Sequence, residues 1–322
     1  MRFPQRLPAS WLRGGVLGSI VEQSAAVARV YVLTAAVLFG TTGTAQALGP
    51  ELEPLAVGTA RIAIGAALLV AIALASGRFQ LGGADRRLIL LSGACVAAYQ
   101  ATFFAAVDDT GVAVGTVVAI GSAPVFTGLL ARAFAGERLS GRWLGATTLA
   151  CAGVCTLVLG GGSGGEVSLP GVGLALLAGA GYGGYAVAGK ALMDQGATPE
   201  ALMASVFSIG AAVLIPLLAF IPTDGLLAGP GLALALYLGA LPTAAAYILF
   251  AHGLERIGAG ETATLTLAEP VTAAALGFAV LGERPGAAAL VGAALVVAGL
   301  AVLALRPDAP LRVGARAAEA SA

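Results

Sequence analysis

At 322 residues, the chain is 58% hydrophobic and only 11% charged, with 6% aromatic residues and a mean hydropathy of +0.94. Ordinary soluble domains carry roughly 25% charged residues, so this composition excludes one and places the chain in a lipid bilayer. A formal net charge of zero offers nothing to a nucleic acid, and one histidine with Cys95, Cys151 and Cys155 in apolar stretches makes neither a metal set nor a disulfide framework.

The first 29 residues hold Arg2, Arg6, Arg13 and Arg29 around an apolar patch at 16–21. That patch is too short to span, so residues 1–29 read as a cytoplasmic N-terminal segment rather than a cleaved signal peptide. A helix needs about 20 mainly apolar residues, at ~1.5 Å rise each, to cross a bilayer core. Ten stretches qualify: 30–49, 54–76, 88–107, 111–134, 141–161, 170–192, 199–221, 231–253, 258–281 and 286–305. Residues 306–322 form a polar, alanine-rich cytoplasmic tail that is expected to be disordered.

Alternate loops differ sharply in basic charge. With the N-terminus inside, fifteen Lys and Arg residues fall on inner segments and only Arg284 on an outer one, with Arg61 inside a span. This asymmetry predicts an even number of spans and both termini in the cytoplasm.

One segment occurs twice. Residues 123–138 run from Ala-Pro to Gly-Glu-Arg, and residues 269–284 run from Glu-Pro to Gly-Glu-Arg, an offset of 146 residues. Around them, Pro54–Val70 aligns with Pro199–Ile215 at an offset of 145, and Gly153 with Gly299 at 146. The halves divide the chain into a first repeat (30–160), a linker (161–169, beginning within the glycine run Gly160–Gly165) and a second repeat (170–305). Five spans is an odd number, so the two halves lie upside down relative to each other, a design of transporters built around a shared site.

On the two Pro…Gly-Glu-Arg segments, Leu267-Ala268-Glu269-Pro270, Phe39-Gly40-Thr41-Thr42 and Arg61, the chain resembles the EamA-type family of the drug/metabolite transporter superfamily over nearly all of 30–305. The resemblance implies an all-α membrane protein of ten helices in two inverted five-helix repeats. Its central cavity would be formed by spans one to four and six to nine, with the fifth and tenth peripheral. Phe39 stands where that family often has tryptophan, and Thr42 where asparagine is frequent.

Three strings suggest enzymes and fail on context. Gly161–Gly165 matches G-x-S-x-G, but the only histidine, His252, lies across the membrane. Gly184–Ala191 approaches a P-loop yet has Ala191 where a hydroxyl should hold magnesium. Gly111-x-x-x-Gly115 reads as close helix packing. No catalytic residues, metal or cofactor are assigned, and no enzyme activity is expected.

Glu269 stands near the middle of its span, where a charged acid costs about 2.5–3.5 kcal/mol unless it finds water, a partner or a proton. Pro270 frees a carbonyl and lets the helix bend beside a cavity. Glu269 either exchanges a proton during transport or binds a substrate amine; the plainer reading is a hydrogen-bonded structural acid beside a proline kink. Arg61 either pairs with an acid at the cavity or is a snorkelling, structural arginine. Snorkelling also accounts for Lys190 and His252, and Glu261 sits one turn into the ninth span as an electrostatic cap.

Polar lining is assigned to Thr42 and Gln46, which share a helix face, and to Tyr99, Gln100, Ser122, Tyr182, Tyr185, Tyr247, Thr262 and Thr266. Helix–helix hydrogen bonding is an equal alternative for each. Pro124 and Pro270 are the expected hinges. The partners are a small solute, such as an amino acid or another metabolite, and the lipid bilayer, not a nucleic acid; no oligomeric state is assigned. The reading is a secondary exporter of the plasma or inner membrane working by alternating access, with proton coupling through Glu269. The alternative is an uncoupled facilitator or channel.

Overall fold

The computed structural model describes residues 16–159, 168–282, 284 and 286–304. The glycine-rich linker at 160–167, Glu283 and the tail at 306–322 lie outside the described residues. Ten helices follow in order: α1 (Val16–Leu48), α2 (Pro54–Ala75), α3 (Arg86–Gly111), α4 (Val114–Phe134), α5 (Gly141–Leu159), α6 (Leu169–Asp194), α7 (Pro199–Ala219), α8 (Gly229–Arg256), α9 (Ala259–Leu281) and α10 (Ala287–Ala304). The first nine are long and apolar enough to cross a bilayer, while α10 is apolar throughout its 18 residues.

Local chemistry sets where the helices start. Asp85 accepts the amide of Arg87 at 2.8 Å before α3, Ser168 accepts that of Gly171 at 3.4 Å before α6, and Thr198 accepts that of Ala201 at 3.4 Å before α7. Each satisfies a donor that a helix N-terminus leaves open. Proline occupies the first turn of α2, α6, α7 and α8, where its missing N–H is harmless.

The patch at 16–21 lies within α1, so helix extends ahead of the first expected span at 30–49; the run from Val16 contains no proline to stop the ladder. One expectation needs correction. Gly111 is not a packing glycine. It takes φ 79° and ψ 157° and separates α3 from α4, a conformation only glycine adopts freely.

The glycine of the duplicated Gly-Glu-Arg segment takes the same backbone conformation in both copies. Gly136 (φ 65°) ends α4 and Gly282 (φ 71°) ends α9, both in the left-handed region that helix C-termini reserve for glycine.

Packing follows an inverted pseudo-symmetry. α1 lies against α8 and α9 of the other repeat, and its counterpart α6 lies against α3 and α4. α2 packs on α7, while α5 and α10 pair at the periphery. There a Cβ on Gly153 would come within 2.7 Å of the Gly292 carbonyl, and one on Gly292 within 2.2 Å of the Leu157 amide. Lipid gives apolar helices no hydrophobic reason to associate, so such close backbone approach supplies the adhesion. Large side chains left exposed, such as Leu129, Leu144, Phe278 and Leu290, suit a lipid-facing surface. The main buried cluster draws on α1, α2, α3, α6, α7 and α8 and includes Tyr185, Phe207 and Phe250.

Candidate functional site

The backbone of α9 breaks within its span. Its first segment, Ala259–Leu265, ends one turn before its second, Ala268–Leu281. Pro270 has no N–H to return to Thr266, and the amide of Glu269 takes that carbonyl instead at 2.9 Å. A freed carbonyl re-satisfied locally is how a membrane helix tolerates proline. Glu269 thereby stands in the first turn of the second segment, half-buried, with no hydrogen bond or ion pair to its carboxylate among the described residues.

A second irregularity sits in α8, where Ala240–Ala245 form a π-helical turn around Pro242. Thr243 donates its hydroxyl to the Leu238 carbonyl at 2.8 Å, the group that Pro242 leaves unpaired. Thr243 packs against Gly65 of α2, one turn beyond Arg61. Single π-turns inside α-helices concentrate at functional sites.

Between these irregularities runs a continuous aromatic wall. Phe39 (α1) and Phe207 (α7) lie 4.9 and 4.3 Å from Tyr247 (α8), measured between ring centroids. Tyr247 lies 6.2 Å from Tyr185 (α6), which is 5.3 Å from Tyr182. Tyr182 continues to Tyr99 (α3) at 6.2 Å, and Tyr99 stacks on Phe103 at 5.8 Å. Edge-to-face and offset contacts at these separations are mutually favourable. The hydroxyl of Tyr182 bonds Thr266 at 3.1 Å, tying the wall to the break in α9.

Arg61 turns inward. Its Nη2 donates to Gln100 Oε1 at 3.5 Å, and its Nε is buried without a partner among the described residues. Arg61 and Glu269 lie within electrostatic reach of each other and of both Tyr99 and Tyr247, but they form no ion pair.

The structure thus gathers Arg61, Tyr99, Gln100, Tyr185, Tyr247, Thr266 and Glu269 at one place. Thr42 and Gln46 stand apart, half-buried on the α1 face that carries Phe39, with no side-chain hydrogen bond among the described residues. Thr41, Thr44, Ala45 and Leu48 line a separate crevice of about 680 Å³ with Leu234, Tyr237 and Leu276. Thr262 bonds the Gly258 carbonyl at 2.9 Å, and Ser122 bonds that of Ala119 at 3.3 Å, so both satisfy their own helices. Helix continues through Pro124, in contrast to the break at Pro270. No group of three or more His, Cys, Asp or Glu suited to a metal occurs among the described residues.

Sequence reasoning missed how the repeats are laced together at the face where α1 begins and α10 ends. Glu137 accepts the amide of Ala259 at 2.8 Å and that of Gly260 at 3.5 Å. Arg29 pairs with Glu261 at 2.6 Å. Gln195 receives the amide of Asp85 at 2.8 Å, and the amide of Thr198 donates to the Gln80 carbonyl at 2.9 Å. Glu200 takes Arg78 and His252, both at 3.3 Å, and Lys190 donates to the Glu255 carbonyl at 2.7 Å. Lys190 and His252 therefore have specific polar partners at this face. On the opposite face, Ser168 bonds Asp109. The duplicated Gly-Glu-Arg turn was the sequence signal for Glu137; Lys190, His252 and Glu261 stood out as charges near helix ends, but nothing local marked the partners they take.

A helical membrane protein with two inverted repeats and an acid beside a broken helix belongs to a recognisable class of solute carriers. The EamA-like transporter family model matches residues 27–159 and again 169–305, and the chain belongs to that family, within the drug/metabolite transporter superfamily. It is 42% identical over 279 residues to the uncharacterized transporter YwfM of Bacillus subtilis, covering 86% of this chain and 94% of that one. It is 33% identical over 239 residues to a probable terminal-alkyne amino-acid exporter of Streptantibioticus cattleyicolor, covering 72% and 78% respectively. One crystal structure superposes with a TM-score of 0.76 over 86% of this chain and 96% of its own, at 23% identity, a likeness of fold.

Proposed function

We propose that this protein is a secondary transporter exporting an amino acid or a related small metabolite by alternating access between the two repeats. The observation that carries this reading is Glu269, held just past a break in α9 with no partner for its carboxylate among the described residues, within electrostatic reach of Arg61 and beside an aromatic wall built from both repeats. A carboxylate so placed is costly to keep unless something enters to meet it. The likeness to the probable terminal-alkyne amino-acid exporter of Streptantibioticus supports an amino acid as the cargo.

The lacing at one face supports a state closed at the terminal face. The arginine asymmetry supports cytoplasmic termini in a plasma or inner membrane, so the closed face is the inner one. Opening would separate Glu137 from Ala259 and Arg29 from Glu261 and swing the first segment of α9 about the break at Thr266–Leu267. Proton exchange at Glu269 would then couple solute movement to the proton gradient.

The test is counterflow in proteoliposomes against a panel of labelled amino acids. Saturable exchange that responds to an imposed pH gradient supports the reading. Flux that neither saturates nor responds to the gradient assigns the protein to uncoupled facilitators instead.

A further inference from the structure

We infer that Arg61 and Gln100 hold the carboxylate of the solute while Glu269 faces its ammonium, so that the site selects a zwitterionic amino acid over the matching amine, amide or carboxylic acid. This rests on the transporter reading above and adds the orientation of the cargo.

The first argument is an inventory of donors. A guanidinium offers five N–H groups and a glutamine amide two. Among the described residues Arg61 finds one acceptor, Gln100 Oε1, at 3.5 Å, which is the long limit of a hydrogen bond. Its Nε is buried and unpaired, as is Nε2 of Gln100, a residue only 2% exposed. The Gln100 amide is pinned: a Cβ on Gly58 would lie 2.4 Å from Nε2. A cation in the membrane with so few acceptors requires an anion, and a carboxylate accepts from a guanidinium through both oxygens.

The second argument is charge balance. Glu269 lies within electrostatic reach of Arg61, yet the two form no ion pair among the described residues. The elements around them present Phe39 from α1, Tyr99 from α3, Tyr182 and Tyr185 from α6, Phe207 from α7 and Tyr247 from α8, all uncharged. One positive and one negative group beside these rings, joined by no ion pair among the described residues, complement a solute whose ammonium and carboxylate share one carbon. A simple amine leaves Arg61 unmet, and a simple carboxylate leaves Glu269 unmet; such mismatches are what reject a wrong ligand. The rings suit an apolar or aromatic side chain and an ammonium over their faces.

The experiment is counterflow of labelled L-phenylalanine and L-leucine in proteoliposomes. Competition is measured with L-phenylalaninamide, phenethylamine and 3-phenylpropionate. Wild type is expected to bind each analogue at least about tenfold more weakly than L-phenylalanine. Arg61→Gln is expected to raise KM about tenfold or more and to erase the preference for L-phenylalanine over its amide, with Arg61→Lys intermediate. Gln100→Leu supplies a second reading of the same preference should Arg61→Gln fail to fold, as judged by size-exclusion chromatography. Exchange of phenethylamine without exchange of either amino acid would overturn this orientation and leave the transporter standing. Full discrimination retained in Arg61→Gln or Gln100→Leu would overturn it as well, and a wild type that exchanges no solute overturns both readings.

Discussion

Glu137, just past the end of α4, receives the amide of Ala259, the first residue of α9, at 2.8 Å. One copy of the duplicated turn therefore caps the helix that carries the other copy. Ten residues beyond that cap, on the far side of the break in α9, stands Glu269. Anything that releases Glu137 frees the short segment Ala259–Leu265 to move relative to the site.

Glu137→Ala removes two acceptors from a helix N-terminus, and losing such a cap costs about 0.5–2 kcal/mol. The variant should melt at lower temperature and open at the terminal face. In a background lacking Cys95, Cys151 and Cys155, Ala263→Cys, at a position 1% exposed, should react faster with a membrane-impermeant maleimide. Unchanged labelling and melting would deny Glu137 a gating role.

Arg29 and Glu261 form a largely enclosed pair, with side chains 9% and 20% exposed. Removing one partner strands the other, at a cost of about 3 kcal/mol when burial is complete. Arg29→Ala should destabilise the closed face, and Arg29→Glu combined with Glu261→Arg should recover much of the loss. A double-mutant cycle should give a coupling on the order of 1–3 kcal/mol; additive effects would show that the pair is incidental.

Gly58→Ala tests the pinned glutamine. The new Cβ would fall 2.4 Å from Gln100 Nε2 and 2.5 Å from a ring carbon of Phe104, and overpacking of this kind costs about 1–3 kcal/mol. Because Gln100 must shift, KM for the amino acid should rise severalfold along with the lowered melting temperature. A variant that melts lower with an unaltered KM would separate Gln100 from solute binding.

Much of this was legible in the sequence, for physical reasons. Span length, the arginine asymmetry and the repeated proline and Gly-Glu-Arg spacing are properties of chemistry along the chain, so ten helices in two inverted repeats could be read directly. Glu269 and Arg61 stood out because charge inside a hydrophobic run is costly. The aromatic wall was half visible: Tyr99, Tyr182, Tyr185 and Tyr247 were flagged for their hydroxyls, whereas Phe207 and Phe250 look like any core residue until the helices are packed. Pro124 and Pro270 looked equivalent, yet only the second lies at a break. The latches joining Arg29 to Glu261 and Glu137 to Ala259 connect residues more than 100 positions apart, and no periodicity encodes such a pairing. Helix also extends ahead of residue 30, where the apolar run at 16–21 continues into α1.

The most direct test is accumulation of labelled amino acid in proteoliposomes driven by an imposed pH gradient, comparing wild type with Glu269→Gln at matched folding by size-exclusion chromatography. Wild type is predicted to accumulate solute above equilibrium and Glu269→Gln to lose that accumulation, whether Glu269 carries the proton or holds the ammonium. Equal gradient-driven accumulation by the two proteins would contradict the account.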